Sequence, residues 1–186
     1  IWNTGDHGIQ AAADAMIRNN IIFDTGGSGI YSRDHQSAVV GNLVIVHNTV
    51  VTEGKVALRI VPPAKGKKIR RPIIIANNAL YGRTAIQAPN AEISMVGNAG
   101  SGGVEGVKLA SGQWQGGGNA AQDFVQGERS FFPSPGSHLR AKAAMKNIAE
   151  DFNGSVRLGT FTAGAYRFED KGNPGWKIGP GFKKVK

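Results

Sequence analysis

The sequence predicts an all-β solenoid, and three observations carry that prediction. Gly makes up 27 of 186 residues, about twice ordinary usage, and the apolar residues fall in short β-branched runs, as in many short strands joined by tight turns. An Asn recurs in one context, at Ile17-Arg18-Asn19-Asn20, Ile45-Val46-His47-Asn48, Ile75-Ala76-Asn77-Asn78 and Met95-Val96-Gly97-Asn98. A small residue followed by an aliphatic one recurs upstream of each Asn, at Gly8-Ile9, Gly29-Ile30, Ala57-Leu58, Ala85-Ile86 and again at Gly106-Val107. Successive aliphatics in that second series are 21, 28, 28 and 21 residues apart.

Each repeated element has a physical reason. Three residues before the final Asn stands Ile17, Ile45, Ile75 or Met95, and five before it Ala15, Leu43, Ile73 or Ile93. That period of two marks one face of a short strand. Two residues after the Asn come Ile22, Val50 and Leu80, until Gly100 breaks the series. The two longer intervals read as a basic turn with inserted loops, one between Ile30 and Asn48, the other between Leu58 and Asn78. About 21 residues per turn, with two or three strands, matches stacked parallel rungs that bury their aliphatics on one another. The Asn satisfies turn amides and bonds to its counterpart one rung on, and the small residue allows a tight corner. A β-sandwich would not keep Asn and Gly-Ile in register, and leucine-rich repeats need a Leu spacing that is missing.

Along the chain, residues 1–7 read as the end of a preceding rung, and residues 8–106 as four rungs. A fifth, degenerate rung begins at Gly106-Val107 and reaches Asn119. Residues 1–119 are thus assigned to the rungs. Residues 120–168 form an irregular C-terminal cap of the same domain, needed to cover an exposed end rung, with a short helix expected over Leu139–Ile148. Residues 169–186 form a basic Gly/Pro-rich tail anchored by Trp176 and Phe182. No cap is visible before Gly8, so missing N-terminal rungs or a partner chain are expected to cover the first rung. Cys is absent, which excludes a disulfide framework and a thiolate metal site. No apolar stretch is long enough to span a membrane as a helix.

The segments Gly8-Ile9 to Asn20, Gly29-Ile30 to Asn48 and Ala85-Ile86 to Asn98 resemble the repeats of right-handed parallel β-helix proteins. That pectate-lyase-like superfamily includes secreted bacterial polysaccharide lyases and epimerases. The later run Phe131-Phe132-Pro133, Gly136-Ser137-His138-Leu139, Asp151-Phe152-Asn153-Gly154, Arg157 and Gly164-Ala165-Tyr166 is similar to the closing segment of many such proteins. The resemblance covers roughly residues 8–168. It implies a right-handed β-helix of about four to five rungs, a secreted or periplasmic location, and action on an acidic polysaccharide. It does not select among lyase, epimerase, hydrolase and a non-catalytic polysaccharide- or surface-binding or structural module, because β-helices host several activities.

The charge pattern points the same way. Lys and Arg number 22 against 13 Asp and Glu, a net charge of +9. If the aliphatics point inward, the residues after them form an outward column of Gln10, Tyr31, Arg59, Gln87 and Lys108. The flanking columns add Arg33 on one side and Asp6, Lys55 and Arg83 on the other. Five cations against one acid suit a polyanion laid across the rungs. Tyr31-Ser32-Arg33-Asp34-His35 is the densest polar cluster beside that groove. Tyr31, His35 or a neutral Lys is the candidate base for removing the proton α to a uronate carboxylate, and Arg33 and Arg59 would stabilise the enolate. Gln10, Lys55, Arg83, Gln87 and Lys108 are the candidate substrate contacts. The segment Lys65–Arg71 carries +5 on an insertion and is a second candidate polyanion contact. No metal site and no cofactor are expected, since the acids are scattered. His47 reads as a turn residue. Nucleic acid is not an expected partner, because no aromatic-interleaved basic strand or recognition helix occurs.

Overall fold

The structure, a computed structural model, describes residues 1–69, 71–89, 93–140, 142–144, 148–157 and 162–179. Its strands are β1 (Ile9–Gln10), β2 (Ala13–Arg18), β3 (Ile21–Phe23), β4 (Ile30–Ser32), β5 (Gly41–Val46), β6 (Thr49–Val51), β7 (Val56–Ile60), β8 (Ile73–Ala76), β9 (Ala79–Gln87), β10 (Ile93–Val96), β11 (Asn98–Glu105) and β12 (Trp114–Gln115). One four-residue helix follows, α1 (Ala120–Asp123). The protein is all-β, and every pairing between these strands is parallel. One sheet runs β1-β4-β7-β9-β11-β12, with β3 and β6 joining it through β9; the other runs β10-β8-β5-β2. The chain leaves one sheet, crosses to the other, and returns one strand further along. That path is compatible with a parallel β-solenoid.

The register follows the sequence repeats. Ile9, Ile30, Leu58 and Ile86 stand side by side, as do Ile17, Ile45, Ile75 and Met95, and Ile22, Val50 and Leu80. Most of these aliphatics are fully buried, with Leu43 and Ile73, in one core between the sheets. Each such side chain contributes about 1.5–3 kcal/mol by leaving water. Gly8 and Gly29 open the corners before their strands. A Cβ at Gly29 would stand 2.1 Å from Val50 Cγ1 and 2.8 Å from the Ala57 carbonyl oxygen, so no larger residue fits.

The Asn series forms a continuous ladder. Asn48 Oδ1 accepts from the Asn20 amide at 3.0 Å and from its Nδ2 at 2.9 Å. Asn78 Oδ1 receives the same pair from Asn48, and Asn98 Oδ1 from Asn78. The Nδ2 groups of Asn48, Asn78 and Asn98 also donate to the carbonyls of Ile17, Ile45 and Ile75. The three side chains are fully buried, so the ladder answers polar groups that water cannot reach. The residue before each Asn takes a left-handed conformation, with φ of 52° at Asn19, 53° at His47, 55° at Asn77 and 64° at Gly97. His47 is therefore a turn residue, as expected.

The structure departs from the expected repeat after Ile86. Ile86 pairs with Val104 and Gln87 with Glu105, so Gly103-Val104, rather than Gly106-Val107, supplies the next small–aliphatic pair. Asn98 is followed in register by Trp114, and its Nδ2 ends the ladder on the Gln113 carbonyl. Asn119 instead caps α1, accepting from the Ala121 amide. No helix forms over the described part of 139–148: Leu139–Arg140 make a turn and 142–144 are irregular. Residues 141 and 145–147 lie outside the described residues, as do Arg70 and Phe182.

The described residues between 120 and 168 pack on the flanks of both sheets. Phe124, Leu139 and Ala163 pack on Ala79, Tyr81 and Ala99. Further along, Phe132, Ala165 and Tyr166 pack with Ile21, and Ile148 with Val46 and Ala76. Polar contacts lock this segment on. Asp123 is 2 % exposed and accepts from the Tyr81 hydroxyl and the Asn119 amide, each at 2.8 Å. Burial and that carboxylate push the Tyr81 phenol well up. Buried Arg157 donates to Asn19 Oδ1 and to the Gly164 and Ala165 carbonyls, and burial pulls its guanidinium down to about 10. Trp176 lies edge-on to Phe152 and remains 45 % exposed. Among the described residues, no helix is long and apolar enough to cross a membrane.

Candidate functional site

The site is built on the edge-to-edge stack β1, β4, β7 and β9. In β4, Ile30 and Ser32 are buried and Tyr31 is half-exposed, as strand alternation requires. The register then places Gln10, Tyr31, Arg59 and Gln87 side by side. Neighbouring strands lie about 4.8 Å apart, so these four side chains form a continuous strip.

Tyr31 is the centre of that strip. The guanidinium carbons of Arg33 and Arg59 each stand 5.9 Å from its ring centroid. The His7 ring stacks on it at 4.0 Å, with 14° between the planes. His7 Nδ1 accepts the Ser28 amide at 2.7 Å, which assigns the ring proton of the neutral imidazole to Nε2. That nitrogen faces Asp6 Oδ1 at 3.5 Å. A Cβ on Gly27 would come within 2.5 Å of His7 Nδ1, so this glycine leaves room for the imidazole. Beside the strip lies a shallow cavity of about 240 Å³ lined by Gln10, Ala11, Ala12, Tyr31, Arg33 and His35. His35 is exposed, and its backbone closes a tight bridge with Ala38.

Asp34 has a different role from its neighbours. Its Oδ1 accepts the Val40 amide at 2.9 Å and its Oδ2 the Ala64 amide at 3.1 Å, with Lys67 Nζ 3.8 Å away. The Val40 bond first, then those to Ala64 and Lys67, holds its carboxyl below the usual carboxylate range. Asp34 thus ties the two inserted loops together. Within the basic loop, Lys67 faces Asp34 and Arg71 reaches Asp14 Oδ1 at 2.8 Å.

The structure brings Gln10, Tyr31, Arg33, His35 and Arg59 into one place, sets Gln87 next along the strip, and leaves Lys55, Arg83 and Lys108 out of it. Lys55 Nζ bonds back to the Thr25 carbonyl at 2.5 Å. Gln87 Nε2 donates to Glu105 Oε2 at 2.8 Å, and Arg83 is exposed beside that carboxylate. Lys108 falls outside the column, because Glu105 occupies its expected position. Two neighbours of the strip were missed as site residues. His7 had a signal, since it immediately precedes the first Gly-Ile corner. Glu105 follows Gly103-Val104, a small–aliphatic pair that the preferred 21-residue spacing passed over.

Cations and a phenol on one exposed strip can bind a carboxylate-bearing chain and move a proton at a carbon beside that carboxylate. Among the described residues, no group of three His, Asp or Glu converges as a metal site would require. No protein-family model matches this chain, and neither a curated protein nor a solved structure matches it.

Proposed function

We propose that this protein is a right-handed parallel β-helix of four to five rungs, of the pectate-lyase-like kind, that acts on an acidic polysaccharide outside the cytoplasm. One observation carries the functional reading: Tyr31 is flanked by Arg33 and Arg59 on an exposed strip running across successive strands. A uronate chain laid on that strip would meet one strand about every 4.8 Å. Its carboxylate would pair with the guanidiniums, which stabilise the negative charge that develops as the α-proton leaves.

The chemistry is β-elimination or epimerisation. Tyr31 or His35 takes the proton from C5. In elimination the C4–O bond breaks, a C4=C5 bond forms, and the departing oxygen gains a proton. In epimerisation C5 is reprotonated on its other face. Lyase action on alginate, pectate or a glycosaminoglycan creates a C=C conjugated with the carboxylate, read as rising ultraviolet absorbance. The expected result is a rise on at least one of these polymers that falls by roughly 10²–10⁴-fold in Tyr31→Phe or His35→Ala, whichever is the base. Absence of a rise on every uronate polymer contradicts the lyase reading.

The second reading is a non-catalytic polysaccharide-binding module. It is favoured by the engagement of the two carboxylates near the strip, Asp34 by two loop amides and Glu105 by Thr84 and Gln87. Salt-sensitive retention on an immobilised polyuronate, with neither an unsaturated product nor proton exchange at C5, identifies that case.

A further inference from the structure

We infer that Glu105 ends the anion track, so that the strip accepts the end of an acidic polysaccharide rather than its middle at that position. The inference rests on the polyuronate reading above. In the outward column the residues run Gln10, Tyr31, Arg59, Gln87, Glu105. The cations stand at Arg59 and beside Tyr31; two strands beyond Arg59 the sign reverses. That separation is about 10 Å, close to the screening length at physiological salt, so a carboxylate approaching Glu105 is repelled while its neighbour is held at Arg59.

Glu105 is fixed in place. Thr84 Oγ1 donates to one carboxylate oxygen at 2.9 Å and Gln87 Nε2 to the other at 2.8 Å. Those two bonds, Gln87 first, hold its carboxyl below the usual range, so at neutral pH it carries a negative charge, as a uronate does. Arg83 is near enough to act on that charge but forms no ion pair with it among the described residues. The track also stops physically. β11 ends at Glu105, and Gly106 turns the chain away at φ 75°, where a Cβ would lie 2.0 Å from the Ala88 carbonyl oxygen. A chain that ends at Gln87 suits this geometry, because the free hydroxyl of its last unit can donate to the Glu105 carboxylate, where a longer chain would place the carboxylate of its next uronate.

The test compares wild type with Glu105→Gln, and with Glu105→Ala as a second neutral variant at this exposed site. Affinities are measured calorimetrically for a series of oligouronates from disaccharide to octasaccharide. In wild type, affinity is expected to stop rising once the strip from Gln10 to Gln87 is filled, at about four units. In both variants the rise continues, with the octasaccharide gaining roughly threefold and the disaccharide unchanged. Binding with the same length profile in all three proteins overturns the role of Glu105 and leaves the polyuronate reading standing. No binding at any length, in any of the three, overturns both.

Discussion

At the scale of single residues, the buried amides of the Asn ladder and the rings around Tyr31 carry the most consequence. Asn78 Oδ1 takes two hydrogen bonds from Asn48, while its Nδ2 gives one to the Ile45 carbonyl and one to Asn98. Truncating that side chain leaves buried donors and acceptors without partners, each costing about 1–3 kcal/mol. Asn78→Ala is therefore expected to lower stability to chemical denaturation by roughly that amount or more. Asn20→Ala should cost less, since Asn20 stands at the end of the ladder and is only half-buried. Equal losses for the two substitutions would show that burial does not set the ladder's worth. The same reasoning explains why the Asn series was legible in sequence: a side chain that must meet its own kind in each successive strand repeats with the register. Tyr31 was legible for a related reason, since it follows an inward aliphatic. The His7 stack was not, because nothing in the spacing says that a ring from one corner will lie on a ring from the next strand.

At the scale of elements, inserted loops and strands obey different rules. The strands follow the repeat because each aliphatic must land on the one before it. The loops have no such constraint, and their geometry rests on Asp34. Its folded carboxyl lies below the ordinary value, so its stabilising contribution is complete above that value and is lost as pH falls through the lowered one. The protection of the Val40 and Ala64 amides against hydrogen exchange, relative to their intrinsic rates, should therefore fall on acidification below about pH 4, beyond the change shown by amides of the strand core. Asp34→Asn should raise that exchange already at neutral pH. If the two amides stay protected in the variant, Asp34 is not what joins the loops. The errors in reading the elements have the same origin. After Ile86 the chain offers two small–aliphatic pairs three residues apart, Gly103-Val104 and Gly106-Val107, and local pattern cannot choose between them. Strand pairing chose the first, which moved Glu105 into the column and Lys108 out. The helix expected over Leu139–Ile148 rested on composition alone; among the described residues there, packing of Leu139 on the larger sheet and of Ile148 on the smaller one prevails.

At the scale of the whole molecule, the excess positive charge is not spread as a single field. In the basic loop, Lys67 and Arg71 have carboxylates beside them, and Lys55 is turned onto a backbone carbonyl. Arg33 and Arg59 remain beside Tyr31 on the exposed strip. The central claim is that these two guanidiniums hold an acidic polysaccharide there. Calorimetric titration with a soluble polyuronate, comparing wild type with the Arg33→Ala/Arg59→Ala double variant, tests it most directly. The account predicts binding that weakens as salt rises and falls by roughly tenfold or more when both guanidiniums are removed. Undiminished affinity in the double variant, or no binding by wild type, would contradict it.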